Sequence, residues 1–157
     1  MKITSQLAKH IKDFYFGGNW TDSSLKGVLK DVNWQQATTK VASFNTIATL
    51  VFHLSYYVNA AIDVLQNKPL TAKDKYSFNH PPIQSQKDWD DFLSKKYNDA
   101  EILVDLVSKL PENKLWEDFS DNKYGNYYRN INGIIEHAHY HLGQIALIKK
   151  MITTKGI

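Results

Sequence analysis

The chain has 157 residues, 43% hydrophobic, 22% charged and 13% aromatic, with a net charge of +3 from 19 basic and 16 acidic residues. That length fits one compact domain spanning 1–157 with a real core, and the dispersed charge excludes the clustered basic stripe of a nucleic-acid binder. Cysteine is absent, so disulfides, thiolate metal sites and cysteine nucleophiles are excluded, and any metal must be held by nitrogen or oxygen donors.

In chain order, the first predicted helix covers Ile3 to Phe16 and stops at Gly17-Gly18. Its opening, MKITSQLAKHIKDF, is charged and amphipathic and lacks the apolar block of a signal peptide, which gives a cytoplasmic expectation. A short amphipathic piece, Asp22 to Val32, follows with Leu25, Val28 and Leu29 on one side. The second long helix runs from Asn45 to Gln66, with Ile47, Leu50, Val51, Leu54, Val58, Ala61, Ile62 and Leu65 at helical spacing. Val41 to Ile62 carries no charge and is long enough to span a bilayer. However, Ser43, Asn45, Thr46, Thr49, His53, Ser55 and Asn59 are scattered around it, which predicts a buried central helix and no membrane.

A loop, Pro69 to Gln84, shows no periodicity. Ser85 with Asp88 then has the spacing of a capping box, opening a third long helix to Leu110 that Pro111 closes. A polar, aromatic connection leads to Asn130 as the predicted N-cap of a fourth long helix reaching Thr153, with Lys149, Lys150 and Lys155 set against its negative C-terminal end. Nothing calls for a sheet. The expectation is an all-α four-helix bundle with a short extra helix after the first long one.

The last helix carries EHAHYHLGQI, three of the chain's six histidines within five residues. At ~100° per residue, Ile134, His137, His141, Ile145, Ile148 and Ile152 share a face, with Gln144 beside them, whereas His139 lies ~200° from His137 and is expected to look outward. Imidazoles at i and i+4 can converge on one metal ion, and a third ligand from another helix would complete a three-histidine site with an open position. His53, in the middle of the uncharged second helix, is the candidate, because a lone imidazole there is costly unless bonded. His10, on the charged first helix, and His80, expected to be solvated in its loop before two prolines, have little claim. Tyr57, one turn from His53, is placed to orient a ligand or to donate to a substrate, or else to be a core tyrosine with a wet hydroxyl. Arg129, in YGNYYRN, either pairs with an anionic group or packs with its loop on the bundle end.

IIEHAHYHLGQIALIKK closely resembles the last-helix signature of the DinB-like superfamily, particularly its YfiT-like members, and LVFHLSYY is similar to that family's first metal position. The resemblance spans nearly the whole chain. It implies a four-helix bundle of the DinB/YfiT type with non-sequential helix order, and a divalent metal, zinc or nickel, bound by His53, His137 and His141 near one end. His139 inherits no role. Gly143 and Gln144 match the motif; Gly143 is expected to allow close helix packing, and Gln144 to reach the metal's open position or a substrate. Thiol-dependent transferases and isomerases occur in this superfamily, as do proteins described as metal-dependent hydrolases. The expectation is therefore an enzyme attaching a low-molecular-weight thiol to a small-molecule electrophile, with a hydrolase or a non-catalytic metal protein as alternatives. Homodimerisation is common in the family and is expected here.

Overall fold

The computed structural model describes residues 2–154. Among them the chain is all-α, with no strand beyond a single bridge pairing Asp118 and Asn126. Four long helices, α1 (Ile3–Phe16), α4 (Ile47–Leu65), α5 (Gln86–Lys109) and α6 (Tyr127–Thr154), form a bundle, and two one-turn helices, α2 (Leu25–Leu29) and α3 (Trp34–Thr38), lie between the first two. α1 packs on α5 and α6, and α4 packs on the same two, so the cyclic order is α1–α5–α4–α6. The chain crosses the bundle diagonally twice, from α1 to α4 and from α5 to α6.

Apart from α1, whose Ile3 amide is taken by Glu112 Oε1, each α-helix begins where a short polar side chain replaces a missing backbone partner. Thr46 Oγ1 accepts from the Thr49 amide, Ser85 Oγ from Asp88 and Asn33 Oδ1 from Gln36. The expected box at Ser85 is shifted by one residue: the Asp88 carboxylate takes the amide of Gln84. α1 ends as expected at Gly17 and Gly18, whose φ of 106° and 98° only glycine adopts at little cost. The segment Asp22–Val32 narrows to α2, and α3 was not anticipated, because Trp34–Thr38 is too short for periodicity to register. It is fixed by its capping box and by Trp89, whose buried indole donates to the Val32 carbonyl at 2.9 Å.

α6 starts four residues earlier than Asn130 suggested. Asn126 is the cap, its Oδ1 accepting from the Arg129 amide at 2.8 Å, and Asn130 instead donates its side-chain amide to the Tyr124 and Asn126 carbonyls. Tyr127, buried against Phe119, supplies the first core contact in a stretch too poor in aliphatic residues to announce a helix. Of the C-terminal cations, Lys149 differs from expectation. Lys149 donates to the Val28 carbonyl at the end of α2, and Lys155 lies outside the described residues.

α4 is the one described helix long and apolar enough to cross a membrane. Its apolar side chains, Ile47, Leu50, Val51, Leu54, Val58 and Ala61 among them, are spent on the bundle core.

Candidate metal centre

His53 projects from the middle of α4, and His137 and His141 from successive turns of α6, where these two neighbouring helices face each other. One nitrogen from each imidazole lies within 4.8 Å of the others. His53 Nε2 and His137 Nε2 are 3.0 Å apart, and the three ring centroids are 4.5–4.9 Å from one another. Two nitrogens bound to one tetrahedral zinc at 2.0–2.1 Å stand about 3.3 Å apart. The three imidazoles are thus already near the separations that a single ion requires.

The outer nitrogens explain which way the rings turn. Ser77 Oγ donates to Asp74 Oδ1 at 3.4 Å and, with its single proton so used, accepts from His53 Nδ1 at 2.9 Å. His141 Nδ1 donates to Gln144 Oε1 at 2.7 Å. Both rings are therefore held in the tautomer that leaves Nε2 with its lone pair free, which is how outer partners set metal-binding histidines. Charge state agrees. Burial, then the charge of His141, lowers the His53 pKa against an opposing pull from Asp74. Burial, then His141 and His53, brings His137 down to about 4. Neutral imidazoles suit zinc, nickel, copper and iron alike.

Aromatic rings wall the cluster. Phe78 stacks on His53 at 4.1 Å with planes 13° apart, Tyr57 sets its ring edge-on to both His53 and His137, and Tyr140 does so to His141. His53 is buried, whereas His137 is half-exposed and opens on a cleft of about 320 Å³ lined by Tyr57, Arg129, Asn130, Gly133 and Ile134. The core stripe of α6 runs through Ile131, Ile135, Ala138, Leu142, Ile145, Ile148 and Ile152. His141 is buried with that stripe, whereas His137 sits on its rim, where a small molecule can reach it.

Several expectations change. His139 does not look out: its ring packs on Phe14 of α1 at 5.2 Å, and Nδ1 donates to the Ile135 carbonyl. It is a packing residue between α1 and α6. Gly143 is exposed and a Cβ there would meet nothing within 4 Å, so it serves no close helix packing within the chain. Gln144 stands behind His141 as its hydrogen-bond acceptor. The Tyr57 hydroxyl lies on the exposed side of the cluster and is not free to donate to a substrate, because it donates to Asp74; burial first, then that bond, raises its pKa. His80 is half-buried between Phe52 and Phe92, not solvated, and His10 is exposed on α1.

Sequence reasoning missed Ser77, Asp74 and Phe78. They lie in the loop, where a one-turn 3-10 helix, Asp74–Tyr76, delivers Ser77 to complete burial beside His53. The faint signal was D-x-x-S followed by a phenylalanine in an otherwise polar run. Removing such an outer partner typically costs 10–100-fold in metal affinity. Ser77→Ala is expected to weaken zinc binding by roughly that factor, read by competition against a chromogenic chelator, with the far-ultraviolet spectrum unchanged. Wild-type affinity in that variant would remove Ser77 from the site.

Compared with known proteins, the chain matches no family model, no curated protein and no solved structure.

Proposed function

We propose that the chain is a metal-dependent enzyme of the DinB-like kind, in which His53, His137 and His141 hold a divalent ion, zinc or nickel, and a small thiol is transferred to an electrophilic substrate. The observation that carries this reading is the convergence of three imidazoles with Ser77 and Gln144 behind two of them, beside a cleft. When bound, the ion would supply Lewis acidity, lowering the pKa of a water or thiol at its open position.

The surrounding residues favour a thiol over water as nucleophile. No carboxylate joins the three histidines among the described residues. Asp74, the carboxylate nearest in the hydrogen-bond chain, is engaged by Ser77 and Tyr57. Water, with a pKa of about 15.7, needs a base or a strongly acidic ion, whereas a thiol starts near 8.5 and ionises with much less help. With no cysteine in the chain, the sulfur arrives on a cosubstrate. Its S–H proton passes to solvent through the open side of the cleft, a new S–C bond forms, and the electrophile's leaving group departs, or its double bond takes up a proton. Tyr57 and Phe78 exclude water from the reacting end by covering two sides of His53.

A homodimer belongs to the same reading. Tyr140 and Leu147 on α6 and Phe44 before α4 are exposed apolar surface available to it.

The test is turnover. Protein loaded with zinc or nickel is offered 2-mercaptoethanol or cysteine with activated-alkene or aryl-halide electrophiles. Thioether formation is expected to fall to background in His137→Ala. Ester or amide hydrolysis with no thiol requirement would replace the transferase reading by the hydrolase.

A further inference from the structure

Arg129 is the chain's single arginine; the other 18 basic residues are lysines. Every ion pair among the described residues is made by a lysine, and no described carboxylate pairs with Arg129. Its side chain is exposed, and its stem lies against a glycine. Gly125, at φ 75°, lies under the side chain, and a Cβ there would come within 2.7 Å of Arg129 Cδ. The residue stands in the first turn of α6, where the unpaired amides add positive potential.

Arg129, Gly133 and His137 follow one another at i, i+4 and i+8, one stripe about 12 Å long at 1.5 Å per residue. All three line the 320 Å³ cleft. Gly133 is the informative member. Glycine weakens a helix interior relative to alanine, yet a Cβ at Gly133 would meet nothing within 4 Å, so no packing contact demands it. What its missing side chain leaves open is the lane between the guanidinium and the imidazole. Tyr57, Asn130 and Ile134 also line a second, mostly apolar recess of about 360 Å³ with Ala60, Ala61, Leu70 and Phe119; its one charged lining residue, Asp74, suits an uncharged body there and not the carboxylate end.

We propose that Arg129 is the anion-binding residue of this site and that the substrate is a small organic carboxylate with an apolar body. The inference deepens the metal-dependent reading and rests on it for where the reactive end lies. The planar guanidinium pairs its fork with the two carboxylate oxygens, and the body lies over Gly133 or in the recess beside Tyr57. Arg129 is the single cationic side chain lining the cleft, which matches one negative charge at that end, while the metal's charge lies at the other, reactive end.

The experiment is calorimetric titration of the full chain, zinc-loaded and metal-free, with 4-phenylbutyrate, its uncharged amide and inorganic phosphate. Wild type is expected to prefer the carboxylate over the amide by about tenfold or more, the value of a charge-assisted contact. Arg129→Ala should erase that preference while leaving zinc stoichiometry intact, and Arg129→Lys should keep only part of it. Gly133→Leu should block both organic probes with helix content unchanged. Equal binding of carboxylate and amide by wild type, no measurable binding of the carboxylate, tighter binding of phosphate, or unaltered preference in Arg129→Ala would each overturn the proposal. The two readings fail separately. A protein that refuses zinc but keeps the Arg129-dependent preference loses the metal and keeps the anion site, and stoichiometric zinc without the preference does the reverse.

Discussion

Protein purified without chelator is expected to carry close to one divalent ion per chain, and His53→Ala, His137→Ala and His141→Ala to carry none, as read by elemental mass spectrometry. The effect is expected to be all-or-none because three ligands leave no redundancy: two imidazoles cannot hold the ion against buffer and chelator. Loading also stabilises. At a free metal concentration 100 times its Kd the folded state gains about 2.7 kcal/mol, which in a chain of this size raises Tm by roughly 5–11 °C. His139→Ala is the discriminating control. Its ring packs on Phe14 and touches no ligand, so that variant should keep its ion while melting earlier. A wild type that takes up neither zinc nor nickel would sink the site.

How much of this was legible depends on how each feature is encoded. α1, α4 and α5 declare themselves because aliphatic residues repeat over three turns or more and glycine, threonine, serine and proline punctuate their ends. The i, i+4 histidines on α6 and the lone imidazole in an uncharged α4 could be paired from the same periodicity. α3 and the first turn of α6 could not. A five-residue helix has no period, and the YGNYY run hides its core face behind tyrosines, so the cap at Asn126 was passed over for Asn130. His139 went wrong for a related reason. A helical wheel gives direction but not what lies there, and α1 covers that side. Ser77 and Asp74 are the deepest omission. They reach His53 from a loop 21–24 residues away in sequence, through one turn of 3-10 helix that no pattern specifies.

Acid should destabilise the metal-free protein through the same histidines. His137 has a folded-state pKa of about 4 against an ordinary value of 6.5, lowered first by burial and then by its two imidazole neighbours; His53 shifts in the same direction. The unfolded chain therefore takes up protons between pH 6.5 and 4 that the folded chain refuses. Stability contributed by the neutral pair is complete above about 6.5, falls as the pH drops through that window, and levels off below about 4. For His137 alone a shift from 6.5 to about 4 corresponds to about 3 kcal/mol if it were fully shielded. Its half-exposed position on the rim reduces this to about 1–2 kcal/mol. Urea unfolding of chelator-treated protein at pH 7.5, 6.0 and 5.0 measures the slope, and His137→Asn, which cannot titrate there, should flatten it. Carboxylates also begin to protonate below pH 5, so the comparison is decided between 6.5 and 5. An equal slope in wild type and His137→Asn would mean that the imidazole takes up its proton alike in the folded and the unfolded chain, and that burial and its imidazole neighbours do not hold it neutral.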